Sequence, residues 1–297
     1  MNVSLRHLLA AVALLAPLAP ALAQTPVNER HALSSGGRVE ISNIAGSVSV
    51  RGWDRNEVLL TGTLGEGQRL EVQNSANRVQ LKVVYPRNSR GNRGAVLELR
   101  VPRGSELQAG TVSAALDVAD VDLRRLQANT VSGGITARGQ AGQTTLNTVS
   151  GAIRSQLRTP RLELRTVSGA INAAGSSGGE VAANSVSGSV DLDLSAVQRL
   201  DVETVSGGLG VRSAGLQPGG RISLQTVSAP ISLALPARTS AQLKVSSFSG
   251  SIRSDVGQVE RPRYGPGSSL DARIGGGDGD ISITSHSGNV RVDLGAR

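Results

Sequence analysis

The phrase Thr-Val-Ser-Gly returns along this chain at nearly constant spacing, and that period restricts the fold more than any other feature. Aligned on the first Thr or Ser, copies begin at Thr111, Thr130, Thr148, Thr166, Ser185, Thr204, Thr226, Ser247 and Ser285. Successive intervals are 19, 18, 18, 19, 19, 22, 21 and 38 residues, the last being twice 19. The flanks repeat as well. Apolar residues stand four and two positions before the anchor, as in Leu162 and Leu164 or Leu200 and Val202. Another pair stands five and seven positions after it, as in Ile171 and Ala173 or Val190 and Leu192. Period two marks a strand with one buried face. A unit this short cannot bury its own apolar face, but stacked on its neighbours it can. The expected fold is all-β: a parallel β-solenoid (β-helix) of short 18–22-residue coils, each strand pairing with its counterpart one coil away.

Parity within the phrase assigns faces. The anchor and the Ser after it share parity with the buried pair before them, so both are expected inward, with Val between them outward. The pair after the phrase has the opposite parity, so something must break the alternation. Gly133, Gly151, Gly169, Gly188 and Gly207 stand there, and glycine tolerates the angles of a sharp corner. An outward stripe of Val131, Val149, Val167, Val186, Val205 and Val227 follows. Either it packs under a turn or the N-terminal region, or it is a contact surface.

The rest of the chain divides around this array. Residues 1–23 carry Arg6 and His7, an apolar run and Ala21-Leu22-Ala23, the pattern of a secretory signal peptide. The run is too short for a comfortable membrane span, no later stretch offers one, and the mature chain is expected to lack an integral membrane segment. Residues 24–36 read as a flexible N-terminal segment. Residues 37–105 read as a β-rich N-terminal region capping the stack, and 37–53 as a diverged coil in the same register. Residues 106–297 are the solenoid repeats, with a Pro/Gly-rich loop insertion at 254–277 that holds Tyr264. The final coil, running through Leu294, is expected to leave an open β-edge.

Several chemistries find no residues. The chain has no cysteine, which removes disulfides, thiolate metal sites and thiol redox chemistry. His31 and His286 are the only histidines after the signal segment, too few and too far apart for a zinc site. Equivalent serines in every copy argue for packing rather than one activated nucleophile. The segment GGGDGDISI at 275–283 resembles a calcium-binding repeat, but it occurs once and Asp278 replaces a glycine. Asp191 and Asp193 share one strand face and are the best paired carboxylates for a β-helix carbohydrate-active enzyme, though no aromatic accompanies them. No catalytic, cofactor-binding or metal residue is assigned, no cofactor is expected, and the chain reads as no enzyme.

Composition points to binding. The formal net charge is +8. Export together with the lack of aromatic-basic interleaving excludes nucleic acid as partner. Arg87, Arg90 and Arg93 cluster in the segment PRNSRGNRG and could meet an anionic envelope glycan; a solvated hairpin tip explains them equally.

The segments VEISNIAGSVSVRGWDRNEV and VPRGSEL, followed by serial TVSG-x-I, resemble the bacterial adhesin-like β-strand-repeat family, domain of unknown function 4097 (DUF4097). The likeness covers residues 37–297, essentially the whole mature chain. It implies an exported repeat protein of the adhesin-like kind and brings no catalytic residues with it. TVSAAL at 111 and TVSAPI at 226 depart from the motif by replacing the corner glycine, so differently shaped corners are expected there. The sequence thus points to an exported, non-enzymatic binding surface or scaffold in the periplasm or at the cell surface. Its expected partner is an envelope protein or an anionic glycan. The candidate contacts are Val131, Val149, Val167, Val186, Val205, Arg87, Arg90, Arg93 and Tyr264.

Overall fold

A computed structural model describes residues 24–87, 94–175, 178–263 and 266–295. It contains strands and turns only. In chain order they are β1 (Thr25–Ala32), β2 (Arg38–Asn43), β3 (Gly46–Trp53), β4 (Glu57–Leu64), β5 (Arg69–Ser75), β6 (Arg78–Val84), β7 (Ala95–Pro102) and β8 (Glu106–Thr111). Next come β9 (Ala115–Thr130), β10 (Ile135–Thr148), β11 (Ile153–Arg158), β12 (Arg161–Thr166), β13 (Ile171–Gly175), β14 (Glu180–Ser185), β15 (Val190–Leu194) and β16 (Val197–Thr204). The remainder are β17 (Leu209–Ser213), β18 (Leu216–Thr226), β19 (Ile231–Leu235), β20 (Ala241–Ser247), β21 (Ile252–Ser254), β22 (Ser268–Ile274), β23 (Gly279–Ser285) and β24 (Val290–Leu294).

These strands build two ladders. The first runs β5-β6-β2-β8-β9-β10-β12-β14-β16-β18-β23-β20-β22. The second runs β1-β4-β7-β3-β9-β10-β11-β13-β15-β17-β19-β24-β21. The long strands β9 and β10 take part in both, so one continuous strand there crosses from ladder to ladder. Pairing is parallel throughout the interior, in the register the repeat requires: Ile153↔Ile171↔Val190↔Leu209↔Ile231 on one side, Leu164↔Ala183↔Val202↔Leu224 on the other. These residues are all buried, in a core made of aliphatic rows rather than aromatics. The chain is therefore a parallel β-solenoid, as its period predicts.

The ends differ from the interior. Antiparallel strands close both: β5 on β6 and the pair β1-β4 on β7 at one end, β22 on β20 at the other. Residues 24–36, expected to be a flexible lead-in, include β1, whose residues pair with β4 from Thr25↔Leu64 to Ala32↔Glu57. The insertion at 254–277, expected to be a loop, contains β22. Its Leu270, Ala272 and Ile274 are buried against the end of the core. Coil order also departs from chain order. The coil β23/β24 lies between β18/β19 and β20/β21, so it is interior and not the open edge the sequence suggested. At the opposite end β2/β3 lies between β6/β7 and β8/β9 in the same way.

The corner corrects two further expectations. The anchor Thr is buried, but the Ser two positions on is exposed rather than inward. The bend begins at Val-Ser, so parity breaks there and not at glycine. Ser132, Ser168, Ser187, Ser206 and Ser228 each donate their backbone N–H to the middle-residue carbonyl of the preceding rung, at 2.8–2.9 Å. Their hydroxyls reach the same carbonyls at 3.3–3.4 Å. The hydroxyls of Thr130, Thr148, Thr166 and Thr204 accept the N–H of the corner glycine at 3.0–3.2 Å. None of these glycines has positive φ. They are required by proximity: a Cβ on Gly151 or Gly169 would stand 1.9 Å from the carbonyl oxygen of the glycine one rung below. At the departing corner of 226–229, the Ala229 N–H still reaches Thr226 Oγ1, at 3.1 Å.

Candidate interaction surface

Each corner places its middle residue at the narrow edge of the stack. Rung by rung the line reads Ile44, Val112, Val131, Val149, Val167, Val186, Val205, Val227, His286 and Phe248, an order set by backbone bonds between neighbouring corners. The seven valines keep 43–49% of their surface exposed. Within the described residues nothing covers the stripe. At its far end the stripe turns aromatic. The rings of Phe248 and His286 stack 4.8 Å apart and 5° from parallel.

The columns beside the valines give the edge its character. One side carries the exposed serines and then a row of small residues: Ala115, Gly134, Ala152, Ala170, Ser189, Gly208 and Pro230. The other side carries Gly110, Asn129, Asn147, Arg165, Asn184, Glu203, Gln225 and Thr284, paired rung to rung. Asn147 Nδ2 donates to Asn129 Oδ1 at 2.8 Å, a step of an amide ladder. A shallow groove of about 590 Å³ lies between this row and the valines from Thr148 to Thr284. In a chain with 31 Lys and Arg and 23 Asp and Glu, only Arg165 and Glu203 bring charge to this part of the edge. The valine stripe was legible from the repeat. The small-residue column and the mostly uncharged polar column beside it were missed, although aligning the copies would have exposed them.

The remaining candidates stand apart from the edge. Arg87 is exposed. Arg90, Arg93 and Tyr264 lie outside the described residues, as does the segment 1–23. Asp191 and Asp193 are exposed on the outer face of β15, in a shallow depression of about 360 Å³ shared with Arg154 and Arg212. Asp278 accepts the Ser240 hydroxyl at 2.7 Å, and Asp280 pairs with Arg221 at 3.5 Å, so both acids of GGGDGD tie neighbouring segments together. His31 Nε2 lies 3.0 Å from Glu29 Oε2 within β1. Among the described residues no three His, Cys, Asp or Glu side chains gather as a metal site. Nor is any helix there long and apolar enough to cross a membrane.

The most constrained charge sits on the first ladder. Glu106 is bridged by Arg38 at 2.9 Å and by Arg124 at 2.9 Å. The hydrogen bond from Arg38 is the main cause that holds its carboxyl below the ordinary value; burial opposes the shift and Arg124 adds to it.

The Toastrack DUF4097 profile matches residues 35–293, nearly all of the described stack. The chain belongs to the Toastrack DUF4097 family. No curated protein matches the sequence significantly. Among solved structures, one from Clostridium sporogenes described as a "putative cell adhesion protein" aligns with this Toastrack chain at 8% identity and a TM-score of 0.28, covering 91% of this chain and 100% of that one. A likeness of that size supports no argument about shared fold or partner.

Proposed function

We propose that this Toastrack protein is an exported, non-enzymatic β-repeat scaffold that offers an adhesin-like binding surface at the bacterial cell envelope. The carrying observation is the exposed, nearly uncharged valine edge along a strongly basic molecule. Charge placed elsewhere keeps the protein soluble, while an apolar line left bare favours contact. The repeated serines support a non-enzymatic reading, because their hydroxyls are spent on corner carbonyls.

The test uses residues 24–297 and washed envelope fractions. Replacing Val149, Val186 and Val205 together by Asp should cut co-sedimentation at least ten-fold while leaving the β circular-dichroism spectrum unchanged. Undiminished binding would remove the edge from the proposal. Export is checked by fractionating cells that make the full chain. Periplasmic or surface material beginning at Gln24 supports it, and cytoplasmic material retaining residues 1–23 sinks it. The second reading, favoured by the +8 charge, is an anionic envelope glycan held by Arg87, Arg90 and Arg93. It expects salt-sensitive retention on lipopolysaccharide that the triple Arg→Ala variant loses.

A further inference from the structure

The two charges bordering the groove are opposite in sign and symmetrically placed. Arg165 precedes Thr166-Val167, and Glu203 precedes Thr204-Val205. Through Asn184 they occupy the same column, Arg165↔Asn184↔Glu203, so each stands one rung from the level of Val186. A foreign partner gives no reason for such an arrangement. A copy of the same chain does. We propose that the valine edge pairs with the edge of a second copy, the two stacks antiparallel, about a twofold axis that crosses the edge at Val186.

That axis superposes each column on its own counterpart and reverses the rung order. Arg165 then faces the partner's Glu203, and Glu203 faces the partner's Arg165, an isologous contact in which every interaction occurs twice. Val167 faces the partner's Val205, and Val149 faces the partner's Val227. The aromatic end meets the opposite end of the line, Phe248 against the partner's Val112. Within each copy Arg165 also pairs with Glu163, which lies two residues back on the broad face. Nine of the ten rungs, all but that of Ile44, face a counterpart; at about 4.8 Å each and roughly five residues wide they offer a contact of roughly 700 Å² per copy. Specific interfaces use about 800 Å² per partner. The valine, serine and small-residue columns meet without desolvating a charge, which removes the main cost of closing such a surface.

The inference rests on the edge being a contact surface and is tested on the purified protein alone. The chain has no cysteine, so single replacements report cleanly. Val186→Cys, on the axis, should form a disulfide-linked dimer under mild oxidation. Val131→Cys should not, because the two copies of that residue would lie roughly 29 Å apart, beyond disulfide reach. A mixture of Val167→Cys and Val205→Cys proteins should cross-link to each other. In sedimentation, Arg165→Glu and Glu203→Arg should each weaken the dimer at least ten-fold, and the double exchange should restore it. A monomeric wild type, or Val131→Cys cross-linking as readily as Val186→Cys, overturns the pairing. If the edge Asp variant still loses envelope binding in that event, the envelope reading survives and only the identity of the partner falls.

Discussion

At the scale of single residues the corner is a problem of clearance. Gly169 lies between Gly151 and Gly188 on adjacent rungs, and a Cβ there would sit 1.9 Å from the Gly151 carbonyl oxygen. Gly169→Ala should therefore cost about 1–3 kcal/mol, read as a lowered midpoint in urea unfolding. Ala114 and Ala229, both fully buried, occupy the same position where the coil is built around a methyl. Their tolerance fixes the expected loss as moderate. Glu106 supplies a pH-dependent counterpart. Its folded carboxyl titrates below the unfolded one, so its contribution is present above the ordinary Glu range, near pH 4.3, and fades as pH falls through the lower folded value. Glu106→Gln should lower stability by about 0.2–1 kcal/mol at pH 7, and the difference from wild type should shrink as pH falls below the ordinary Glu range. The sequence located these corners because apolar pairs of opposite parity flank them. It could not place the break within the phrase, since parity counts only the total shift. Whether Ser or Gly turns the chain is decided by the Val carbonyl one rung away.

At the scale of the rung, interior coils are interchangeable. Ile153↔Ile171 and Leu162↔Val181 repeat the same contact one step apart, and each rung touches only its neighbours. Deleting residues 153–170 joins Ala152 to Ile171, which places β13 on β10 and β14 on the second half of β10. The shortened protein should fold cooperatively with an unchanged β spectrum and a stack about 4.8 Å shorter by small-angle scattering. A molten product would show that coils are not equivalent units. Moving the cut by one residue, to 153–169, leaves one extra alanine in the corner and should lower the urea midpoint of the shortened protein, because the corner, unlike the coil as a whole, keeps the same length in every copy. The interior was readable because every copy carries the same two apolar pairs. Strand β22 was not read, although Leu270, Ala272 and Ile274 alternate within it. Pro and Gly residues before and after pointed to a loop, and only the exposed flank of β20 gives the segment something to pair with.

At the scale of the whole molecule, the order of the coils is what the repeat conceals. Equivalent strands carry equivalent rows, so nothing local distinguishes pairing with the preceding copy from pairing with the one before that. The structure uses this freedom at both ends. Deleting residues 279–297 bares β18 and β19; since the rows are equivalent, β20 and β21 should then stack on them directly, and limited proteolysis should leave residues 241–254 protected, whereas a cut after residue 235 would show that the rows are not equivalent. The placement of β23/β24 also orders events in time. Residues 241–254 precede this coil in the chain yet lie outside it, so they reach their final positions only once residues 279–294 have emerged and taken the place between. Until then β18 and β19 offer the same rows to β20 and β21, so the growing chain can hold a provisional stack that the last coil has to enter. The last of these coils to be made is thus the one that decides which neighbours β18–β21 keep.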